Sequence, residues 1–380
     1  MSTAVADQRT GQHQPARKQE WMPRVWQGCD FVAWLRLLVH NRFAVHWPYW
    51  YIAAIATAVS FCHTVLRYIQ QGFYGRRVAR TPIHAAPIFI IGHWRTGTTL
   101  LHEMLILDDR HTYPNTYKCF EPNHFLLTER LITHGMPFLM PSHRPMDNMA
   151  AGWDRPQEDE FALCMMGQPS PYLTIAFPNH GPQYSEYFDL RGISPRALAS
   201  WKRDFLRFIQ YLNYQDSKRL VLKSPPHTFR IPVLLELFPD ARFVHIVRDP
   251  YIVFPSTVNL WKSLYRTHAL QRPTFAGLEE YVFTTFQRMY EALERDRQLV
   301  RPSRFHELRY EDLVRDPIGQ MQALYDQLEL GEFEKLRPRL QDYAARTAGY
   351  ETNRYTLTPQ LREEIGRRWG KVIRQYGYGG

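Results

Sequence analysis

Four short runs of aliphatic and aromatic residues stand out along the chain: Ile88–Ile91, Leu220–Leu222, Phe243–Val247 and Phe305–Leu308. Their length suits core strands better than helices. Between them, apolar positions recur at helical spacing. Leu198, Trp201, Phe205, Phe208, Ile209 and Leu212 share one face of a helix that Ser194-Pro195 can open. Ile231–Phe238 reads as a short helix ended by Pro239. Thr358-Pro359 opens a last helix, with Leu361, Ile365, Trp369, Val372 and Ile373 on its apolar side and Gly377 as its stop. Strands alternating with helices predict an α/β fold of three layers, a central and mostly parallel sheet flanked by helices.

Such sheets bind ligands beyond the carboxyl ends of their strands, and the polar chemistry of this chain falls there. The first run enters Gly92, the second Lys223-Ser224-Pro225-Pro226-His227, the third Arg248-Asp249-Pro250 and the fourth Arg309-Tyr310-Glu311-Asp312. The first of these turns, Gly92-His93-Trp94-Arg95-Thr96-Gly97-Thr98-Thr99, has the glycine spacing of the P-loop, G-x-x-x-x-G-K-[ST]. Thr98 stands where the lysine belongs, and a cation, Arg95, sits inside the loop instead. Gly92 and Gly97 let the backbone approach an anion. The next helix offers unpartnered N–H groups, Thr98 and Thr99 add hydroxyls, and Arg95 adds a planar fork. This P-loop-like turn suits a phosphate or sulfate ester other than an ordinary nucleoside triphosphate γ-phosphate.

The other turns add cations. Arg248 ends a strand, and Ser256 and Thr257 follow on a helix-like segment, an arrangement that fits a second phosphate. Asp249 reads as a structural partner of that turn. Lys223 leaves a core strand and is placed to neutralise charge on a leaving or bridging oxygen. A general base has five candidates: His227, the acidic run Glu158, Asp159 and Glu160, and Glu121. The acidic run reads equally as a helix N-terminus, where carboxylates favour the dipole.

Composition narrows the ligand. The chain has 380 residues and a net charge of +10, with the positive charge scattered rather than blocked into a tail. That favours a small polyanion such as a nucleotide over nucleic acid. Cys29, Cys62, Cys119 and Cys164 form no C-x-x-C pair, so neither a zinc site nor a disulfide framework is expected, and the setting is expected to be reducing and cytoplasmic. Residues 1–20 read as a disordered lead-in, 21–80 as an apolar helical extension and 81–380 as the main domain. Within the extension, Trp47–Leu66 has no Lys, Arg, Asp or Glu, and Arg36, Arg42, Arg67, Arg76, Arg77 and Arg80 flank it. It is either a buried helix covering the main domain or a membrane-associated one, which would bring the protein to the inner face of a membrane. Residues 112–200 hold Phe125, Phe138, Met146, Trp153 and Tyr172, which suit a partly apolar or sugar-like acceptor.

Arg95-Thr96-Gly97-Thr98-Thr99-Leu100, Lys223 before its proline turn, Arg248 with Ser256 eight positions on, and Tyr310-Glu311-Asp312-Leu313 with Asp316-Pro317 together resemble the sulfotransferase superfamily that uses 3′-phosphoadenylyl sulfate (PAPS). The likeness is to its bacterial families allied to tyrosylprotein sulfotransferases, and it runs over about residues 82 to 330. It implies transfer of a sulfuryl group from PAPS to a hydroxyl or amine of a small-molecule, glycan or lipid-linked acceptor, without a metal. Gly92, Arg95, Thr96, Gly97, Thr98 and Thr99 would cradle the 5′-phosphosulfate, and Arg248 and Ser256 the 3′-phosphate. Lys223 and Arg95 would stabilise the transferring group, with Glu158, Glu160 or His227 as base. Asn353 and Arg354 are weak matches for the element that closes over adenine. The rivals are a P-loop kinase or NTPase, which needs a loop lysine, and a membrane-attached nucleotide-binding protein without turnover.

Overall fold

The computed structural model describes residues 24–135, 152–347 and 355–379. The lead-in 1–20, Phe138, Met146, Asn353 and Arg354 lie outside the described residues. The strands are β1 (Ile88–Ile91), β2 (His111–Thr112), β3 (Arg219–Lys223), β4 (Arg242–Val247) and β5 (Phe305–Arg309). They form one sheet in the order β2-β3-β1-β4-β5, with every pairing parallel. β1 is central, with Phe89 paired to Leu222 on one side and to Phe243 on the other.

Helices α1 (Phe31–His40) and α2 (Trp50–Ala79) precede β1, and α3 (Thr98–Leu105) follows it. Among the described residues, four helices lie between β2 and β3: α4 (Thr116–Phe120), α5 (Phe125–Gly135), α6 (Asp159–Met165) and α7 (Pro195–Gln215). α8 (Ile231–Leu237) joins β3 to β4, and α9 (Pro250–His268) and α10 (Leu278–Asp296) join β4 to β5. α11 (Tyr310–Arg315), α12 (Pro317–Gln327), α13 (Phe333–Thr347) and α14 (Pro359–Gln375) come last.

The two-residue period of the strands divides the interior. Phe89, Ile91, Leu222, Phe243 and Val247 enter a large core shared with α7 to α10 and α14. Ile88, Ile90, Val221, Val244 and Ile246 enter a smaller one, closed by Leu101 and Leu105 of α3, Met321 and Leu324 of α12, and Leu336 and Leu340 of α13. Because helices cover both faces, strand residues are apolar without alternation. This is the expected three-layer α/β fold.

The helix starts follow their caps. The Ser194 hydroxyl accepts from the Ala197 N–H and that of Thr358 from the Leu361 N–H, with a proline at the first helical position each time. Gly377 turns left-handed after α14, with φ of +70°. β2 went unforeseen, since two residues carry no periodic pattern. The wholly buried reading of Trp47–Leu66 does not hold. A short 3₁₀ turn, Trp47–Tyr49, leads into α2, which buries Ile52, Ala56, Ser60, His63, Gln70 and Val78 along a single stripe. At about 100° per residue, that stripe spans about 80° of the helix circumference. Trp50, Tyr51, Ile55, Phe61, Val65, Tyr68, Ile69 and Phe73 are exposed on the opposite side. The segment Trp47–Ala79 is long and apolar enough to cross a membrane by length and composition, and only 22% of its most apolar window is buried.

Candidate active site

The turn between β1 and α3 is shaped by its glycines. Gly92 has φ of +144°, and a Cβ there would lie 2.6 Å from the Ile246 carbonyl oxygen. Gly97 has φ of +100°, and a Cβ would lie 2.3 Å from the Tyr310 ring. Arg95 itself is left-handed at φ +72°, a conformation that costs a non-glycine residue about 1–2 kcal/mol and turns its side chain out of the loop's run. The rest of the loop is held by hydroxyls. Thr228 Oγ1 accepts from the Gly92 N–H at 2.9 Å, Thr96 Oγ1 donates to the His93 carbonyl at 2.7 Å, and Thr257 Oγ1 donates to that of Trp94 at 3.3 Å. Thr96 is fully buried, so its side chain builds the turn, whereas Thr98 and Thr99 open α3. Gly97 caps α3 without a side-chain acceptor, leaving the positive end of the helix facing the loop.

The second anion position forms against this loop. Arg95 Nε donates to Ser256 Oγ at 2.9 Å, and Arg248 Nη1 donates to the Arg95 carbonyl at 3.2 Å. The Arg248 guanidinium lies 4.2 Å from the centre of the Tyr310 ring. Burial, and then the charge of Arg95, lower its pKa, against the opposing pull of Tyr310 and Glu311. Its Nε is buried with no hydrogen-bond partner. A buried cationic donor left unsatisfied beside a serine hydroxyl and a second guanidinium fits an anionic group such as the 3′-phosphate of PAPS.

Beside the loop, three consecutive acids meet three basic residues of the end of β3 and the segment after it. Glu158 Oε1 accepts from Lys223 Nζ at 2.8 Å, Asp159 Oδ2 pairs with His227 Nε2 at 2.7 Å, and Glu160 Oε2 pairs with Arg230 Nη1 at 2.5 Å. The inner two pairs are sealed. Asp159 and His227 have no side-chain exposure, and His227 packs edge-on to Phe89. Burial alone would raise the Asp159 carboxyl, but His227 and Arg230 outweigh it and hold it below its usual range. Glu160 also accepts from Ser170 at 2.5 Å, and Arg230 donates to the carbonyls of Tyr187 and Phe188. Glu158, just before α6, keeps 15% side-chain exposure. Its Oε2 accepts from the Tyr172 hydroxyl at 2.5 Å, and Trp94 Nε1 of the loop donates to that hydroxyl at 2.9 Å. A continuous chain of hydrogen bonds therefore ties the loop to Glu158 and Lys223.

The structure thus brings Arg95, Arg248 and Ser256 together, and links the loop through Trp94 to Glu158 and Lys223. It puts His227 and Glu160 behind the site in buried ion pairs, and Glu121 elsewhere, facing α2. Phe125, expected near an acceptor, is fully buried against Phe208 and Tyr211. Sequence reasoning missed Trp94, Thr228 and Arg230, whose roles depend on partners far away in the chain. Only Arg230, a cation in an apolar segment, carried a signal of a buried partner.

Comparison with known proteins agrees with this geometry. Residues 87–335 match the model of a sulfotransferase family. The chain is 53% identical, over 96% of its length and 93% of theirs, to proteins of Mycobacterium bovis and Mycobacterium tuberculosis named omega-hydroxy-beta-dihydromenaquinone-9 sulfotransferase Stf3. Its fold is similar to that of sulfotransferase STF9 from Mycobacterium avium, with TM-score 0.60 and 21% identity over 82% of this chain and 81% of that one. It is also similar to sulfotransferase STF1 from Mycobacterium tuberculosis, with TM-score 0.57 and 19% identity over 89% and 90% of the two chains. The chain therefore belongs to the sulfotransferase family, enzymes that use PAPS as co-substrate.

Proposed function

We propose that this sulfotransferase acts on the hydroxyl of a membrane-borne isoprenoid quinone, resting its α1–α2 face on the cytoplasmic surface of a membrane. The observation that carries this reading is the exposed apolar face. Phe43, Trp47, Trp50, Tyr51, Phe61, Tyr68 and Phe73 are each more than half exposed. Aromatic residues beside a basic flank suit the interface of an anionic bilayer. The identity to the dihydromenaquinone sulfotransferases supports the acceptor class, since it leaves out too little of the chain to omit α1 and α2.

PAPS supplies the activated sulfuryl group and a bisphosphate leaving group. Arg95, Thr98, Thr99 and the first N–H groups of α3 hold its 5′ end, and Arg248 and Ser256 its 3′-phosphate. Glu158 takes the proton of the acceptor hydroxyl as the new O–S bond forms and the S–O bond to the phosphate breaks. Lys223, 2.8 Å from Glu158, neutralises the charge that builds on the departing phosphate. The Asp159–His227 and Glu160–Arg230 pairs hold Glu158 in place.

The test is turnover on vesicles of anionic phospholipid carrying an ω-hydroxylated isoprenoid quinone, read as release of adenosine 3′,5′-bisphosphate and as sulfated lipid by mass spectrometry. Replacing Phe61, Tyr68 and Phe73 together by serine is expected to abolish vesicle co-sedimentation and vesicle-borne turnover, while preserving turnover on detergent-dispersed acceptor. Sulfation of soluble phenols or sugars with none of the lipid would refute the acceptor, and undiminished vesicle binding of the triple variant would refute the docking face.

A further inference from the structure

A second cluster of polar side chains lies apart from the catalytic loop, where α2 meets the body of the protein. His63 comes from the middle of α2, Glu121 from the end of α4, and His124 from the residue before α5. His63 Nδ1 is 2.5 Å from His124 Nε2. Glu121 Oε2 stands 2.9 Å from the first nitrogen and 3.1 Å from the second. The side chains are 10%, 3% and 19% exposed for His63, His124 and Glu121.

A single shared proton cannot satisfy all three converging atoms at once. Two facing imidazole nitrogens can share only one proton, and both here also lie against one carboxylate oxygen. That oxygen is buried against the two ring nitrogens. The surroundings set the tautomer of one ring. The Thr128 hydroxyl donates to the His124 carbonyl at 3.1 Å and accepts from the Tyr117 hydroxyl at 2.8 Å. It can therefore only accept from His124 Nδ1, 2.8 Å away. With a proton on Nδ1, the ring leaves Nε2 facing His63 and Glu121. An outer hydrogen bond that fixes the ring of an inward-facing imidazole is the usual support of a metal ligand.

We propose that His63, Glu121 and His124 bind a divalent zinc-class ion that fastens α2 to the sulfotransferase body. Two imidazole nitrogens and one carboxylate oxygen form a zinc donor set, leaving a fourth position for water. Bonds of about 2.0–2.1 Å in tetrahedral array space their donor atoms about 3.3 Å apart, so the trio opens by less than about 1 Å to take the ion. The ligand sequence spacing hid the site, because His63 is remote from the other two. The ion is structural. It sits beside the clamp in which Gln70 donates to the Asn123 carbonyl at 3.0 Å and accepts from the Leu126 N–H at 2.9 Å. It would hold the stripe of α2 whose other side carries the exposed aromatic residues. It takes no part in sulfuryl transfer, so this inference stands whatever the acceptor.

The experiment uses untagged full-length protein purified without chelator. Elemental analysis after desalting is expected to find about one zinc per chain, lost on treatment with dipicolinate together with a lowered melting temperature. Adding Co²⁺ to the stripped protein is expected to restore the melt and give the visible absorption of a four-coordinate site. His63→Ala and Glu121→Gln are expected to lose both signals. Less than about one-tenth of an equivalent of zinc, together with no cobalt spectrum in a normally folded protein, would overturn the proposal, as would unchanged cobalt binding in His63→Ala. Both decisive readings come from the wild-type chain if a variant does not fold.

Discussion

Replacing Glu158 and Glu160 in turn by glutamine separates catalysis from architecture, although the two acids are neighbours in sequence. Glu158 accepts one bond from Lys223 and one from the Tyr172 hydroxyl. A glutamine there keeps an oxygen for Lys223 and turns its amide toward Tyr172, whose hydroxyl can reverse and accept. The cost in stability is about 1.5–3 kcal/mol, the worth of a bond to a charged group, since Lys223 loses its partner's charge. The amide takes no proton, so a positioned base is lost and kcat falls by about 10²–10⁴. Glu160 differs because both of its oxygens face Arg230 donors and neither partner is exposed. A glutamine must set its amide against a guanidinium N–H, which cannot reverse. Breaking a buried pair of this kind costs roughly 3–5 kcal/mol. The assay is adenosine 3′,5′-bisphosphate release at saturating PAPS and acceptor, with a thermal melt of each protein. Glu158→Gln should melt above Glu160→Gln and turn over slowly. Glu160→Gln should melt markedly lower and keep most of its kcat below its melting range. Wild-type kcat in Glu158→Gln would refute the assignment of the base. A Glu160→Gln protein of normal stability with abolished kcat would refute the division of roles.

Arg248→Ala should raise the KM for PAPS by roughly 10–150-fold, the worth of one charge-assisted bond, and change kcat by only a few-fold, as initial rates at varied PAPS will show. Gly97→Ala puts a Cβ 2.3 Å from the Tyr310 ring at φ +100°, so affinity for adenosine 3′,5′-bisphosphate by calorimetry should fall at least about ten-fold; unaltered affinity would mean the loop is not the binding turn. His93, His102 and His268 are each lowered by burial to about 3. Their folded-state pKa lies below the unfolded value, so the stability they allow is full above pH 6.5 and is lost as pH falls toward 3. Each adds about 1.4 kcal/mol per pH unit to that loss. Urea unfolding at pH 7 and pH 5 should show it, and equal stability at both would contradict neutral burial of these rings.

Much of the proposed donor site was legible because it is local. A glycine pair, an internal arginine and two threonines within one turn state an anion cradle wherever that turn is placed. Arg248 and Ser256 share a strand end and the helix after it, so their spacing carries the geometry. The different settings of the three acids were not legible. Glu158, Asp159 and Glu160 are chemically alike and adjacent. What distinguishes them is that β3 and the segment after it present Lys223, His227 and Arg230 to them at different depths. The same holds for Glu121, which reads as a catalytic candidate by position and in the fold faces two histidines.

The sequence by itself determined the three-layer α/β fold, the glycine-shaped turn after β1 and the cations around it, because strand period, helix caps and turn chemistry act over a few residues. Only the tertiary structure decided which carboxylate remains partly open, which are sealed in ion pairs, and that α2 buries one narrow stripe while leaving an aromatic face outside. Those outcomes depend on burial and on partners distant in the chain, and burial belongs to the packed molecule rather than to any short stretch of it.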